Sequence, residues 1–132
     1  MSRLRITLLY RLPVAAYCAL IFWQSSSASL TSLPSFEYSD KVMHLGGYAL
    51  LGALVFRALL HEQFQLSRQK IIIAAILFST LYGVSDEIHQ SFVPERCADI
   101  FDVLADGLGS IMGVLFYGAV VAIRVQRDEG EG

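Results

Sequence analysis

The stretch that decides the fold is SDEIHQSFVPERCADIFDVLAD, at residues 85–106. It places six carboxylates, one arginine and one histidine between two apolar runs, and these six are half of the chain's 12 acidic residues. A charged side chain at hydrocarbon depth costs roughly 2.5 to 3.5 kcal/mol on insertion scales, so such groups face protein or water and usually serve a function. The segment therefore predicts both a turn between two membrane helices and the place of the functional site.

The composition of the whole chain indicates an integral membrane protein. Of its 132 residues, 55% are hydrophobic and only 17% are charged, which lies outside the usual balance of soluble proteins. The length predicts one domain over residues 1–132. A net charge of −2 offers no basic surface, so a nucleic-acid partner is not expected.

Four apolar runs follow one another along the chain, and each is close to the roughly 20 residues that cross a bilayer. They predict helices over residues 7–24, 42–60, 71–91 and 99–123. The third run is short unless its helix continues through Asp86, Glu87 and Gln90 with those side chains turned inward. Because Pro94 cannot sit inside a regular helix, the fold class is an all-α, polytopic membrane bundle of four transmembrane helices with a bent or re-entrant polar link between helices three and four.

The first run has a second interpretation. Arg3, Arg5, an apolar stretch and the small residues at 26–29 resemble a cleavable signal peptide. The aromatic pair Phe22-Trp23, followed by serines, fits the interfacial belt of a retained membrane helix. The sequence leaves both interpretations open.

The distribution of cations predicts the orientation. Lys41 and Arg96 would lie on one side of the membrane, and the other side would carry Arg3, Arg5, Arg11, Arg57, Arg68, Lys70, Arg124 and Arg127. Both termini are therefore expected in the cytoplasm, and the connections at residues 25–40 and 92–99 outside. The expected location is the bacterial inner (cytoplasmic) membrane.

Glycines in the second and fourth runs predict close helix packing. Gly109 and Gly113 have the small-xxx-small spacing that lets two backbones approach in lipid. Packing alone explains these glycines, so no chemistry is assigned to them.

A first polar constellation begins the second helix, in the stretch DKVMHLGGY at residues 40–48. Helical spacing places Lys41, His44 and Tyr48 on one face, and it lets Asp40 reach His44 four residues later. In the alternative interpretation Asp40 only caps the helix, and His44 is a buried histidine bonded to a neighbouring helix.

A second constellation surrounds the link. Glu87 and Gln90 lie one turn apart, Arg96 follows the proline, and Asp102 and Asp106 descend one face of the fourth helix, about 6 Å apart along its axis. Two carboxylates there cannot both stay ionised cheaply, so either Lys41 or Arg96 neutralises one of them or one is protonated. Asp99 is explained equally well as the cap of the fourth helix.

Together the constellations predict an outward-facing polar pocket. The candidate catalytic residues are Glu87, Asp102 and His44, and the candidate ligand-binding residues are Lys41, Tyr48, Gln90, Arg96 and Asp106. Metal ligation is conceivable for a subset that also includes His89 and Asp99, but the spacing matches no metal motif such as HExxH. Neither a metal nor another cofactor is assigned.

In this order the motifs resemble those of the VanZ-like family of small bacterial membrane proteins. The similarity rests on five fragments: WQSSS at 23–27, DKxxH with Tyr48 at 40–48, ExxQ at 87–90, FVPxR at 92–96, and DVLA at 102–105 followed by Gly107 and Gly109. Two positions depart from the family pattern, since Glu95 stands where glycine is frequent and Asp106 where asparagine is frequent. The second departure weakens any requirement for an amide at that position.

The resemblance implies a membrane protein whose shared polar residues lie at the outer face, and for some members it implies teicoplanin resistance. Three functions remain open. The pocket acts on a lipid headgroup or lipid-linked envelope precursor, it binds such a group without chemistry, or its polar residues form a structural interhelical network. Whether the protein is an enzyme, and its oligomeric state, are not predicted.

Overall fold

A computed structural model of the chain describes residues 3–27, 39–62, 65–94 and 96–130. All regular secondary structure in these ranges is helical. The four long helices are α1 (Arg3–Ser25), α2 (Ser39–Leu60), α3 (Arg68–Gln90) and α4 (Ile100–Gly130). Each is long and apolar enough to cross a membrane. The predicted all-α fold with four membrane spans is confirmed.

The helices extend beyond the apolar runs. Helix α4 continues seven residues past position 123, to Gly130, and this extension is exposed. Hydropathy marks the part of a helix suited to hydrocarbon, whereas backbone hydrogen bonds decide where the helix ends. Helix α3 includes the predicted polar end, where Asp86, Glu87 and Gln90 are all buried.

The link between α3 and α4 is bent, as predicted. The backbone N–H groups of Phe92 and Val93 donate to the carbonyls of His89 and Gln90 at 3.0 Å each, which forms a tight turn. Pro94 follows at once and prevents the helix from continuing. Glu95 and the predicted outer connection at residues 28–38 lie outside the described residues.

Helix α2 lies at the centre of the bundle and packs most extensively on α4. A Cβ atom at Gly109 would collide with the carbonyl of Leu45, and one at Gly113 with the carbonyl of Ala49. The two backbones are therefore in direct contact, which only glycine permits. The buried core around this seam consists of Tyr48, Leu51, Val55, Phe56, Ile71, Ala75 and Val114.

Helix α1 is peripheral and is held by hydrogen bonds. The Tyr17 hydroxyl donates to the Gly47 carbonyl at 3.1 Å, and the Tyr82 hydroxyl donates to the Cys18 carbonyl at 2.6 Å. These bonds attach α1 to both α2 and α3, although most of its surface remains exposed.

A π-helical segment, Thr7–Arg11, lies within α1 just before Pro13. Proline has no N–H to donate to the carbonyl four residues earlier, that of Leu9. The guanidinium of Arg57 donates to this carbonyl at 3.2 Å, and it also lies over the Tyr10 ring, 4.7 Å from its centre. A side chain of α2 thus donates a hydrogen bond to the α1 carbonyl to which Pro13 cannot donate.

The outer surface of the bundle is apolar. Large hydrophobic side chains such as Phe116, Ile123 and Leu81 are 73%, 65% and 64% exposed. Exposed apolar area of this extent is unfavourable in water and is expected against lipid. The bundle therefore presents apolar side chains outward along its helices, as a multi-pass membrane protein does.

Candidate functional site

The start of α2, the end of α3 and the start of α4 meet at one end of the bundle. Their ionisable and amide side chains lie close together, in what we call the polar cluster: Asp40, Lys41, His44, Tyr48, Asp86, Glu87, Gln90, Arg96, Asp99, Asp102 and Asp106. The structure brings all eight residues predicted for the site into this cluster. Five of its members, all from α3 and α4, are carboxyl or amide side chains at most 5% exposed.

Lys41 connects α2 to the start of α4. Its ammonium group lies 2.7 Å from Asp99 Oδ2 and 3.0 Å from Asp102 Oδ1. Asp102 is only 3% exposed. The contact with Lys41 supplies a counter-charge for this carboxylate, which is one of the two outcomes expected for the pair Asp102 and Asp106. The same ammonium lowers the pKa of the Asp99 carboxyl below its ordinary value by hydrogen bonding.

Asp99 also begins helix α4. Its Oδ1 accepts from the backbone N–H of Phe101 at 2.9 Å, which satisfies one of the free donors at the helix start. The Asp99 carboxylate therefore has two roles: Oδ1 caps helix α4, and Oδ2 pairs with Lys41.

His44 is oriented from across the bundle. Its Nδ1 lies 2.9 Å from Oδ1 of Asp106 on α4, whereas Oδ1 of Asp40 is 3.9 Å from Nε2. The second distance is too long for a hydrogen bond, so the orienting carboxylate is Asp106 and not the Asp40 that helical spacing favours. Since an ionised carboxylate only accepts hydrogen bonds, Nδ1 donates in this contact, and Nε2 is the ring nitrogen that faces Asp40.

Asp106 is fully buried and fits against α3 because position 83 is glycine. A Cβ atom on Gly83 would lie 2.8 Å from the Asp106 Cβ. The Oδ2 atom of Asp106 has no hydrogen-bond partner among the described residues. Tyr48, one turn after His44 on α2, is 3% exposed. Its ring is parallel to that of His44, with the ring centres 6.3 Å apart.

Glu87 lies between the link and His44. Its Oε2 accepts from the backbone N–H of Asp99 at 3.0 Å, so this carboxylate holds the link against α3. Its other oxygen, Oε1, is 3.9 Å from His44 Nε2 and is buried without a hydrogen-bond partner in the described part of the chain. Buried acceptors are usually satisfied, and this exception faces Nε2 of His44.

Arg96 forms the edge of the polar cluster nearest to α1. It donates to Gln90 Oε1 at 2.8 Å and to the Ser27 carbonyl at 3.1 Å. Gln90 in turn donates to Asp86 at 3.1 Å. The half-buried guanidinium thus bridges the end of α3 and the segment that follows α1.

His89 is turned away from the polar cluster. Its ring stacks on Phe22 of α1, with the ring centres 4.4 Å apart, and its Nε2 is 3.0 Å from the hydroxyl of Ser26. At position i+2 from Glu87 it occupies a different face of α3, and it serves the contact with α1. Cys97, in the link, is exposed.

Sequence reasoning left three members of the polar cluster out of the predicted site: Asp86, Asp40 and Asp99. The signal for Asp86 was present, because it stands four residues before Gln90 on the same helical face. Asp40 was predicted to orient His44 or to cap the helix, and Asp99 was explained equally well as a cap, so neither was placed among the site residues.

A groove of about 540 Å³ lies elsewhere, between α1, α2 and α3. Its lining is mainly apolar and includes Val14, Cys18, Leu59, Phe78 and Tyr82. No member of the polar cluster lines this groove.

Four apolar helices that enclose carboxylates, a histidine and two cations at one end define a multi-pass membrane protein with a buried ionisable cluster. Residues 6–122 match the family described as VanZ/LLP1, and the chain belongs to that family. The match includes every member of the polar cluster. No curated protein and no solved structure shows significant similarity to the chain.

Proposed function

We propose that this protein binds the polar headgroup of a membrane lipid or lipid-linked envelope precursor at the polar cluster, on the outer face of the bacterial inner membrane. The observation that supports this function is the grading of exposure across the cluster. Lys41 and Asp99 have side chains 32% and 38% exposed, whereas Asp102 and Glu87 behind them are 5% and 6% exposed. A headgroup at the membrane surface would meet the exposed edge first and the buried groups behind it.

Arg96 is the residue assigned to the anionic part of the headgroup. A guanidinium has five N–H donors in a planar fork suited to phosphate or carboxylate, and the hydrogen bonds to Gln90 and Ser27 leave some of them available. Lys41 is already paired with two aspartates, so its role is to hold the edge together.

Glu87 and His44 are assigned to proton exchange with the bound group, with Asp102 beside them. A ligand hydroxyl that approaches from the side could reach both the carboxylate oxygen and the imidazole nitrogen, which are 3.9 Å apart, at the hydrogen-bond distance at which general acid–base pairs work. If the headgroup belongs to a cell-wall precursor, binding of that precursor at this site would give a physical explanation for the teicoplanin resistance of some relatives.

The test of binding compares Arg96→Gln with Arg124→Gln, which changes an exposed arginine near the other end of α4. Proteins purified in mild detergent are incubated with a photoactivatable lipid-linked precursor or with a photoactivatable phospholipid. We expect Arg96→Gln to reduce crosslinking of one of these at least fivefold, and Arg124→Gln to leave it unchanged. Equal crosslinking of all three proteins would contradict headgroup binding at this site.

A structural role is the second candidate, and it is supported by the way Lys41 and Arg96 each join separate segments. It predicts that Arg96→Gln lowers the yield of folded, monodisperse protein, as measured by size-exclusion chromatography. Normal yield with lost crosslinking favours binding, and reduced yield favours the structural network.

The proton-exchange role is tested with Glu87→Gln, with Ser79→Ala as a control on the same helix. Both positions are buried. If Glu87 exchanges protons, Glu87→Gln retains crosslinking and abolishes any conversion of the bound lipid that the wild-type protein performs. Unchanged conversion in Glu87→Gln would remove Glu87 from the chemistry.

A further inference from the structure

Carboxylates lie on both sides of the His44 ring. Nδ1 is held by Asp106, and on the opposite side Nε2 lies 3.9 Å from Asp40 Oδ1 and 3.9 Å from Glu87 Oε1. Asp40, His44 and Asp102 each offer one atom that could bind a metal ion, and these three atoms lie within 4.8 Å of one another. Glu87 Oε1 adds a further oxygen beside Nε2, outside this three-residue group.

These separations suit donors that share a metal ion. A distance of 3.9 Å is too long for a hydrogen bond, but two ligands at about 2.0 to 2.2 Å from one ion lie roughly 3.4 Å apart in tetrahedral geometry and up to about 4.4 Å apart when opposite. Separations among the Asp40, His44 and Asp102 ligand atoms are at most 4.8 Å, so closure around one ion requires a shift of a few tenths of an ångström. The Asp40 side chain, 65% exposed, has the freedom to make it.

The orphaned oxygen of Glu87 supplies an independent indication. Glu87 is 4% exposed, and its Oε1 has no hydrogen-bond partner among the described residues while it faces Nε2 of His44. A buried charged acceptor without a partner is costly. A cation between this oxygen and the histidine would remove that cost.

The bond between His44 and Asp106 fits the same interpretation. Histidines that bind metals almost always donate their other ring N–H to a carboxylate or carbonyl, which fixes the ring and leaves the second nitrogen free to bind. His44 has this arrangement, with Asp106 as the acceptor.

Charge balance also favours a bound cation. The polar cluster contains six carboxylates, and its two permanent cations are Lys41 and Arg96. Lys41 would keep Asp99 as a partner, at 2.7 Å, if Asp102 turned towards a metal ion. A divalent ion would therefore neutralise part of the excess negative charge of the polar cluster, and the Lys41 ammonium would keep a partner.

We propose that Nε2 of His44 and the carboxylates of Asp40, Asp102 and Glu87 bind one divalent transition-metal ion. Mixed imidazole and carboxylate ligands suit ions such as Mn²⁺ and Zn²⁺. This site goes beyond headgroup binding by Arg96 and does not depend on it, and a metal ion there would replace the proton-exchange role proposed for His44 and Glu87. The sequence shows no metal motif because the ligands come from three helices and are brought together only by packing.

The test uses the full chain, purified in detergent without a histidine tag, and Mn²⁺ observed by electron paramagnetic resonance. We expect one Mn²⁺ bound per chain, with nitrogen coupling from imidazole in the pulsed spectrum, and displacement by Zn²⁺. Asp40→Asn should weaken Mn²⁺ binding at least tenfold, because Asp40 is exposed and its loss leaves the packing of the bundle intact. Asp128→Asn, a change of an exposed carboxylate in the extension of α4, should leave binding unchanged.

His44→Gln provides the second variant, and it should abolish the nitrogen coupling. Wild-type binding without nitrogen coupling, or equal Mn²⁺ affinity in wild type and Asp40→Asn, would overturn the site. Crosslinking of lipid is a separate measurement, so loss of the metal site and loss of headgroup binding are distinguishable.

Discussion

At the scale of single residues, several acceptor oxygens of the polar cluster are matched to one donor each. Oδ1 of Asp106 takes the Nδ1 proton of His44, and the two oxygens of Asp99 divide between Lys41 and the start of α4. In a buried site an unmatched donor costs about 1 to 3 kcal/mol. Each pairing therefore constrains which substitutions the cluster tolerates.

Asp106 provides the residue-scale prediction. Asp106→Asn retains an oxygen of the same size to accept from His44, so we expect unfolding stability within about 1 kcal/mol of wild type. Asp106→Leu leaves the imidazole N–H without an acceptor and should lower stability by about 1 to 3 kcal/mol. Thermal unfolding in detergent micelles measures both. Equal damage from the two changes would mean that the charge of Asp106, rather than its acceptor oxygen, is required.

At the scale of elements, the seam between α2 and α4 determines the geometry of the site. Gly109 and Gly113 lie directly against the backbone carbonyls of Leu45 and Ala49. One turn before Leu45 stands Lys41, and on α4 Asp102 precedes Gly109 by seven residues. The close approach of the two backbones thus places the ammonium and the carboxylate within reach of each other.

Gly113→Ala tests this seam, with Gly46→Ala as its matched control. Both changes raise helix propensity equally, but a Cβ at Gly46 meets nothing within 4 Å, whereas one at Gly113 collides with the Ala49 backbone. We expect Gly113→Ala to be less stable than Gly46→Ala by about 1 to 3 kcal/mol, measured by thermal unfolding. Equal stability would show that the two helices are not in backbone contact.

At the scale of the whole molecule, the even number of helices places both termini on the same side. The polar cluster lies at the other end of the bundle, where α2 and α4 begin and α3 ends. The excess of arginine and lysine near the termini and in the connection between α2 and α3 favours the cytoplasm for that side. The exposed edge of the cluster would then face outward.

Cys97 reports on this orientation directly, because it is exposed in the link while Cys18 is half-buried in α1. In a Cys18→Ala background, a membrane-impermeant maleimide should label Cys97 in intact spheroplasts. In the Cys18→Ala, Cys97→Ala background, Arg124→Cys should be labelled only after the membrane is opened. The reverse pattern of labelling would invert the proposed orientation.

Much of the fold follows from local sequence. The apolar runs of about 20 residues match the thickness of the hydrocarbon layer. Pro94 and the glycines at positions 109 and 113 act through the chemistry of the backbone. The residues of the site were also recognisable, because ionisable groups between apolar runs are costly unless they are buried in protein. The boundaries of α4 were less predictable, since its exposed last turns carry no hydropathy signal.

What the sequence by itself determined is therefore the helical fold, the number of spans and the set of polar residues. Only the tertiary structure decided how those residues pair. Helical spacing favoured Asp40 as the partner of His44, but the packing of α2 on α4 makes Asp106 the closer carboxylate, 62 positions away in the chain. The same packing joins Lys41 to Asp99 and Asp102. Contacts between helices depend on how the helices approach one another, which spacing along a single helix does not encode.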